Sequence, residues 1–344
     1  MIKNIEKLCN ICGVSGDEDK VREYIINKIT PLCDDIRTDS MGNVIALKKG
    51  ASSDKKIMIA VHMDEVGFIV SEITDKGFIK FQSVGGIDPR VLVSKRVVIG
   101  DKRIKGVIGM KAVHLQNKSE REKAVAENKL TIDIGAKSKK DALKWIEIGD
   151  YISFATEFEQ FGNGFIKGKA LDNRVGCAVA MELLKERYDY DLYVCFTVQE
   201  EIGLRGATVA AYAVEPDIAL VIETTTASDV SGTDEHQYVV RLNHGAAVTL
   251  MDSRTIVDKR LAAWLYENGN KKGIKTQYKE SNAGGNDAGA IHLSKEGVKT
   301  CAISLPCRYL HSPVTVAAKD DVNSVYELSR LFLQNTKSIM KIMR

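Results

Sequence analysis

The chain has 344 residues, of which 44% are hydrophobic and 28% are charged. This composition is typical of a globular protein, and the length suits one large domain plus a smaller one. The formal net charge is only +3, and Lys and Arg are scattered along the chain, so no nucleic-acid-binding surface is predicted. No stretch approaches the roughly 18 consecutive apolar residues that a membrane span needs, so no membrane association is expected.

The start of the chain and its cysteines predict a cytoplasmic protein. The opening MIKNIEKLCNICGVSG has no uninterrupted apolar stretch of the kind found in a secretory signal. The seven cysteines are odd in number, and several lie in apolar runs, where cysteine behaves as a small hydrophobic residue. Cys9 and Cys12 form a single CxxC with no second pair, which we interpret as structural rather than metal-binding or redox-active.

Predicted helices and strands alternate along most of the chain. Residues 1–30 are predicted to be helical, and Ser15 and Glu18 have the spacing of a capping box before the amphipathic segment 20–29. Four apolar runs do not alternate polar with apolar residues, and each is therefore predicted to be a strand buried on both faces. These runs are residues 57–61, 192–198, 218–222 and 300–305. With the helices between them, they predict an α/β fold class, with a mixed sheet in an α/β/α sandwich.

The middle of the chain differs from its flanks. Short β-rich segments between Gly and Asp turns predict a small, barrel-like all-β domain at residues 68–163, inserted into a catalytic domain formed by residues 1–67 and 164–344. The β-rich segments are residues 77–82, 91–99, 105–110 and 151–154. Residues 114–128 are highly polar and are predicted to form an exposed, mobile loop.

Side chains that bind metals stand at or near the ends of the four buried runs. They are His62 and Asp64 after the first run, Glu200 and Glu201 after the second, Glu223 after the third and His311 beyond the fourth. Asp172 precedes the predicted helix 175–186. In open α/β sheets, ligands bind outside the carboxyl ends of the strands, so these side chains are expected to converge.

Each of these residues has an ordinary structural explanation when taken alone. Asp172 has the position of a helix N-cap, the acidic residues suit solvated turns, and a single His after a strand is usually a hydrogen-bonded turn residue. Charged groups beside fully buried strands are costly, however, unless they are paired or bind a cation. Two His and several carboxylates are the ligand set of zinc, cobalt or manganese. The joint pattern therefore predicts a metal site.

The same set fits two ions rather than one. Two ions about 3.5–4 Å apart need one shared carboxylate and about two further ligands each. One Asp, two Glu and two His supply that number of ligands, and Glu200 is then free to act as general base on a bridging water. Asp64 stands two residues after His62, on the same side of an extended chain, and is predicted to orient its imidazole.

Several motifs resemble those of a known family. AVHMDEVGF, GKALDNRVG, QEEIGLRGA, GGNDAGAIHLSKEGV and PCRYLHSP occur in this order along nearly the whole chain, and GVSGDE, VGGIDPRVL and DIGAKSKKDA fit as well. They resemble the metallopeptidase family that includes glutamyl aminopeptidases and the tetrahedral (TET) and deblocking aminopeptidases, some relatives of which carry cellulase labels. The resemblance implies a zinc-exopeptidase-like catalytic domain, a β domain used for dimerisation, and a homo-oligomer, either a dimer or a dodecamer.

The resemblance also implies residue roles. His62 and Glu223 would complete the ligands of one ion, Glu201 and His311 those of the other, and Asp172 would bridge the two. Glu200 would be the general base, and Asp64 would support His62. Two positions depart from the family pattern: Glu223 is often Asp in the tetrahedral enzymes, and Asn286 replaces the Thr of a GGTDA motif.

The function expected is removal of N-terminal residues from short peptides by two divalent ions, with zinc first and cobalt or manganese as alternatives. The alternative is a related dinuclear-metal carboxypeptidase or deacylase. A glycoside hydrolase is disfavoured because adjacent Glu200 and Glu201 on an extended segment should point in opposite directions. A structural zinc scaffold is disfavoured because such sites are usually closed and rich in Cys. Arg308, Leu310 and the glycines at 284–285 are candidates for lining the substrate pocket.

Overall fold

A computed structural model describes residues 1–52, 54–282 and 284–343. The helices of this part of the chain are α1 (Ile2–Asn10), α2 (Asp19–Ile29), α3 (Lys118–Arg121), α4 (Lys139–Ala142), α5 (Leu171–Leu183), α6 (Arg205–Val214), α7 (Lys259–Lys271), α8 (Ala288–Ile291) and α9 (Lys319–Ile342). None of the helices described is both long and apolar enough to cross a membrane.

The strands fall into one large sheet, one small sheet and a barrel. In chain order they are β1 (Asp35–Thr38), β2 (Val44–Lys48), β3 (Lys56–His62), β4 (Gly67–Ile73), β5 (Ile79–Val84), β6 (Arg96–Ile99), β7 (Ile104–Gly109), β8 (Thr131–Asp133), β9 (Tyr151–Phe154), β10 (Glu159–Phe161), β11 (Phe165–Gly168), β12 (Asp191–Thr197), β13 (Ile218–Thr226), β14 (Ala246–Thr249), β15 (Thr276–Lys279), β16 (Lys299–Cys307) and β17 (Thr315–Ala318). The small sheet has the order β10-β11-β17.

The large sheet has eight strands in the order β1-β2-β12-β3-β13-β16-β14-β15. Its four central strands, β12, β3, β13 and β16, are parallel neighbours, whereas β2 and β14 pair antiparallel to them, so the sheet is mixed. Helices α1, α2, α5, α7 and α9 contribute to the main hydrophobic core on one face, and α6 and α8 to a second core on the other. The predicted α/β/α sandwich is confirmed.

The four central strands are buried along almost their whole length, as their unbroken apolar runs predict. Both faces are covered by helices, so no position needs to be polar. Strand β13 is longer than its predicted run because Thr224, Thr225 and Thr226 continue the extended backbone past Glu223. Threonine is β-branched and suits a strand, although in the sequence a run of polar threonines resembles a loop.

The middle of the chain contains a closed barrel with the strand order β4-β5-β8-β7-β6-β9. Its interior is a separate hydrophobic cluster that includes Phe68, Phe81 and Phe154, whose rings meet edge to face. The polar segment 114–128 lies here and contains the short helix α3, which begins with a capping box formed by Asn117 and Glu120. The division of the chain into two domains at residues 68 and 163 stays a prediction.

The capping box predicted for Ser15 and Glu18 is wrong. Helix α2 begins at Asp19, and no side chain caps its first turn. Both side chains are instead 3% exposed and directed into the protein, where they bind groups that belong to other elements. The sequence spacing of a capping box does not exclude this outcome, because a buried acceptor competes for the Ser15 hydroxyl and a buried N–H donor competes for the Glu18 carboxylate.

Candidate metal centre

The carboxyl ends of the parallel strands bring the predicted ligands together. Strand β3 ends at His62, and β12 ends at Thr197, two residues before a turn that carries Glu200 and Glu201. His311 follows β16 in a loop. Glu223 lies inside β13 rather than after it, and its side chain still lines the same cavity.

Asp172 reaches the site from the start of α5. Its backbone angles are not helical, and those of Asn173 are not either, so the regular helix begins after them. The Asn173 side chain, not that of Asp172, accepts the helical N–H of Gly176 at 3.0 Å. The carboxylate of Asp172 is therefore free of the capping role and faces the histidines.

One group of ligands surrounds His62. Its Nε2 lies 3.2 Å from Asp172 Oδ1 and 3.4 Å from Glu223 Oε1. Its Nδ1 lies 3.2 Å from the backbone oxygen of Asp64 and 3.4 Å from Asp64 Oδ1. A proton on Nδ1 would be donated to Asp64, which leaves Nε2 with a lone pair for a cation.

A second group surrounds His311. Its Nε2 lies 3.5 Å from Asp172 Oδ2 and 3.3 Å from Glu201 Oε2. Its Nδ1 lies 2.9 Å from the backbone oxygen of Gly86, in the segment that follows barrel strand β5. The two oxygens of Asp172 thus face a different histidine each, which is the arrangement of a carboxylate shared between two ions.

Burial shapes the electrostatics of the site. It raises the pKa of Glu201 to about 8, with the Asp172 carboxylate adding to the effect, and it raises the pKa of Glu223 to about 7. The hydrogen bond to Asp172 and the charge of Glu201 raise the pKa of His311 to about 9, against the opposing effect of burial. Acidic groups crowded together out of water are stabilised by a cation.

The donor set fits divalent metal ions. Within the described residues, three groups have ligand atoms close enough to hold an ion: His62 with Asp172 and Glu223, His62 with Glu200 and Glu201, and Asp172 with Glu201 and His311. In the same part of the chain, Glu223 Oε2 is buried without a hydrogen-bond partner, as expected of an oxygen left to a cation. Carboxylates and imidazoles are the ligands of zinc and of comparable transition metals.

Glu200 and Glu201 both face this site, contrary to the expectation that adjacent side chains point in opposite directions. Gln199 has a φ of +55°, in the left-handed region, so the chain is not extended here. Asp64 Oδ1 accepts the N–H of Glu200 at 3.0 Å, and its Oδ2 accepts that of Glu201 at 3.1 Å. Burial raises the pKa of Glu200 well above its usual value, which suits a group that must hold a proton transiently.

The site opens into a cavity of about 550 Å³. Leu310, Gly284 and Gly285 line it, as predicted. Arg308 does not point there: its guanidinium binds the Asp229 carboxylate through two bonds of 2.8 Å. Sequence reasoning missed two cationic side chains in the cavity wall, Lys279 and Arg254, because nothing in their local sequence marks them as neighbours of the metal ligands.

The mixed sandwich and the acidic, histidine-containing site at its strand ends are those expected of a metal-dependent hydrolase. Residues 42–328 match the family model described as M42 glutamyl aminopeptidase. A relative from Acetivibrio thermocellus is 41% identical over 330 residues, which cover 95% of this chain and 97% of the relative.

Solved structures agree over the whole chain. An aminopeptidase from the archaeon Desulfurococcus kamchatkensis superposes with a TM-score of 0.94 at 37% identity, covering 99% of this chain and 97% of that one. The TET1 peptidase of Pyrococcus horikoshii, which can assemble into a tetrahedron or a large octahedral shell, gives a TM-score of 0.85 at 31% identity, covering 97% and 99%. The chain belongs to the M42 glutamyl aminopeptidase family. It is accordingly an aminopeptidase, a hydrolase that acts on N-terminal residues.

Proposed function

We propose that this aminopeptidase removes N-terminal residues from short peptides with two divalent ions, held by His62, Asp172, Glu201, Glu223 and His311. The observation that supports this most strongly is the position of Asp172, whose two oxygens face different histidines 3.2 and 3.5 Å away. Zinc is the ion we propose, with cobalt or manganese as alternatives, because the donors are imidazoles and carboxylates.

The protein side chains carry out the proton transfers in this proposal. Two bound divalent ions would supply Lewis acidity, lowering the pKa of water and polarising the scissile carbonyl. Glu200 takes the proton of the attacking water and returns it to the departing amine, as general base and then as general acid. Asp64 supports this by holding the imidazole of His62 and the backbone of Glu200.

The charges around the cavity favour a free amino terminus on the substrate. An ammonium group that enters it meets a site rich in carboxylates, and the family resemblance implies that this contact makes the enzyme an exopeptidase. A blocked amino group has no charge to offer. We infer that peptides with a free N-terminus are the substrates.

The first assay is a panel of aminoacyl-p-nitroanilides with zinc, cobalt or manganese added to chelated protein. We expect hydrolysis of free aminoacyl substrates and none of N-acetylated ones. Preference for blocked substrates would favour the carboxypeptidase or deacylase alternative instead. Chelation should abolish turnover and leave the chain folded, whereas a metal-stabilised scaffold would lose its fold.

The cavity wall suggests which N-terminal residue is preferred. Lys279 ends β15 and is 9% exposed, and burial lowers the pKa of its ammonium group, against the effect of the Asp252 and Glu223 carboxylates. Arg254 contributes a second cation to the same wall. A substrate carboxylate in the cavity would lie beside both cations and be attracted by them, so we infer a preference for acidic N-terminal residues.

Substitution of Lys279 tests this preference. We expect Lys279→Met to lower kcat/KM for glutamyl-p-nitroanilide about ten- to a hundredfold, the value of a charged hydrogen bond, with little change for leucyl-p-nitroanilide. Lys275→Met is the control, because Lys275 lies near the start of the same strand and is exposed. Equal losses on both substrates would exclude a role for Lys279 in selectivity.

We also propose that the chain forms a homo-oligomer through an inserted domain at residues 68–163. Several large apolar side chains in this range are exposed to solvent, which supports the proposal. They are Phe78, Val107, Val113, Leu115, Leu143, Trp145, Ile148 and Phe161. Exposed apolar side chains mark association surfaces where they form a contiguous patch, which is what this proposal requires of them. A cytoplasmic location is part of the proposal, supported by seven free cysteines, five of them buried.

A further inference from the structure

Four successive backbone N–H groups at the end of β12 are each bound by a side chain from a distant part of the sequence. The bonds run from Val198 to Asn43 Oδ1 (3.0 Å), from Gln199 to Glu18 Oε1 (3.1 Å), from Glu200 to Asp64 Oδ1 (3.0 Å) and from Glu201 to Asp64 Oδ2 (3.1 Å). We call residues 199–201 the catalytic turn. Its direction is therefore set by groups outside it.

The catalytic turn needs such support because of its first residue. Gln199 has a φ of +55°, and the left-handed conformation costs a residue with a side chain about 1–2 kcal/mol. This conformation is what brings both Glu200 and Glu201 to the cavity. The Glu18 carboxylate binds the N–H of the strained residue itself.

Glu18 belongs to a loop that is fixed to the metal site. Its Oε1 also accepts the N–H of Gly16 at 2.9 Å. In the same loop the hydroxyl of Ser15 donates to Asp64 Oδ2 at 2.6 Å, and Val14 forms a parallel bridge with Glu65. Ser15 thus holds the carboxylate that binds the second and third N–H groups of the turn, and Glu18 binds the first.

Helix capping does not explain these two side chains, because α2 has no side-chain cap. Ser15 and Glu18 are both 3% exposed, and their polar atoms bind the catalytic turn or Asp64. A buried carboxylate is costly, and burial raises the pKa of Glu18 to about 7. The presence of a buried carboxylate at position 18 therefore supports a role for Glu18 in fixing the geometry of the site.

We propose that Ser15 and Glu18 are positioning residues that aim Glu200 and Glu201 into the cavity through the backbone of the catalytic turn. The inference rests on the proposed function, in which Glu200 is the general base. Neither side chain touches the substrate cavity. Their effect passes through the N–H of Gln199 and through Asp64.

Three variants test the role. We expect Glu18→Ala and Ser15→Ala to lower kcat about ten- to a hundredfold while KM stays within about twofold, because a small displacement of a reacting group slows the chemical step more than binding. Glu18→Gln should keep kcat within about threefold, since the amide oxygen still accepts the two N–H bonds. Amide hydrogen exchange of residues 198–201 should accelerate in Glu18→Ala and remain slow in Glu18→Gln.

Asp321 offers a matched control. It is also a buried carboxylate that binds two backbone N–H groups, those of Asn243 and Gly245, both at 2.7 Å. We expect Asp321→Ala to lower the melting temperature and leave kcat within about twofold, with unchanged exchange at residues 198–201. If Glu18→Ala does not fold, Ser15→Ala, which loses a single hydroxyl, answers the question through the same kcat and exchange measurements.

Two results would overturn the inference: wild-type kcat in both alanine variants, or a Glu18→Gln variant as impaired as Glu18→Ala with normal exchange in the turn. Glu200→Gln, assayed alongside, separates this from the proposed function. If Glu200→Gln keeps full turnover, the proposed general base is wrong. If it loses turnover while the Ser15 and Glu18 variants keep theirs, only the positioning role is wrong.

Discussion

We assign Glu200 the role of proton carrier, because the two proposed ions can be held by other side chains. It lies in the cavity beside Glu201, and the backbone N–H groups of both residues are fixed by the same Asp64 carboxylate. Asp172, Glu223 and His311 already supply ligands to the two groups described above. Removing the charge of Glu200 should therefore affect chemistry and leave ion binding alone.

The prediction is that Glu200→Gln keeps both ions and loses about 10²–10⁴-fold in kcat, the usual contribution of a general base. Glutamine has nearly the same shape, so the fold and the cavity should not change. Elemental analysis of the purified variant, combined with steady-state kinetics, measures both quantities. An ion-free site in a folded variant, or unaltered turnover, would exclude the assigned role.

For single residues, the sequence shows which side chains are candidates for the site, but it does not show where each side chain points. His62 and His311 could be selected because they follow buried strands, whose carboxyl ends meet at one edge of a parallel sheet. The shared orientation of Glu200 and Glu201 could not be predicted, because it depends on the left-handed Gln199. Ser15 and Glu18 matched a helix-capping pattern, and their actual partners are 49 and 181 residues away in sequence.

Among the helices, α7 shows how a single charge stabilises an element. Asp258 is its N-cap: the carboxylate accepts the N–H of Arg260 and forms ion pairs with Arg260 at 3.0 Å and Lys299 at 3.1 Å. These contacts, the Arg260 hydrogen bond above all, hold the pKa of Asp258 well below its usual value of 3.8. A carboxylate whose pKa is lower in the folded state stabilises the fold above its unfolded-state pKa.

The prediction is that Asp258→Ala lowers the free energy of unfolding by about 1 kcal/mol at neutral pH, the usual value of an N-cap. The contribution of the charge is fully present above about pH 4 and is lost as the pH falls further, so the difference from wild type should shrink there. Thermal unfolding at pH 7, 4 and 3 measures it. Asp258→Asn keeps a capping oxygen and should lose less stability than Asp258→Ala. If the stability deficit of Asp258→Ala instead grew as the pH fell, the explanation would be contradicted.

Element boundaries were harder to predict than element types. The unbroken apolar runs identified β3, β12, β13 and β16, because strands covered on both faces need no polar positions. The end of β13 was missed because Glu223 and three threonines continue the strand into the site. A strand that lines a cavity carries polar residues there, and from the sequence alone that part of the strand is mistaken for a loop.

The sandwich and the barrel are connected at the proposed metal centre. The backbone oxygen of Gly86, which follows barrel strand β5, accepts a hydrogen bond of 2.9 Å from Nδ1 of His311. A change in how the barrel associates can therefore reach His311, a proposed metal ligand, through one backbone carbonyl. We infer from this contact that metal content and assembly affect each other.

Native mass measurement tests the assembly proposal. We expect metal-loaded protein to have a mass that is a multiple of the 37.9 kDa chain, a dimer or a dodecamer, and chelated protein to form smaller species. Trp145 is 54% exposed, and Trp145→Glu should lower the mass because a charge is costly in an apolar interface. Lys102→Glu, an exposed position on the barrel, is the control. An unchanged mass in Trp145→Glu would show that Trp145 does not lie in the interface.

The proposed sharing of the Asp172 carboxylate is the point on which the two-ion proposal depends, because Asp172 contacts both histidines. Counting the bound ions per chain in wild type and in Asp172→Ala, after chelation and reloading, tests this most directly. We predict two ions in the wild type and none retained in the folded variant. Two ions in Asp172→Ala, or full turnover by ion-free wild type, would contradict the paired-ion centre.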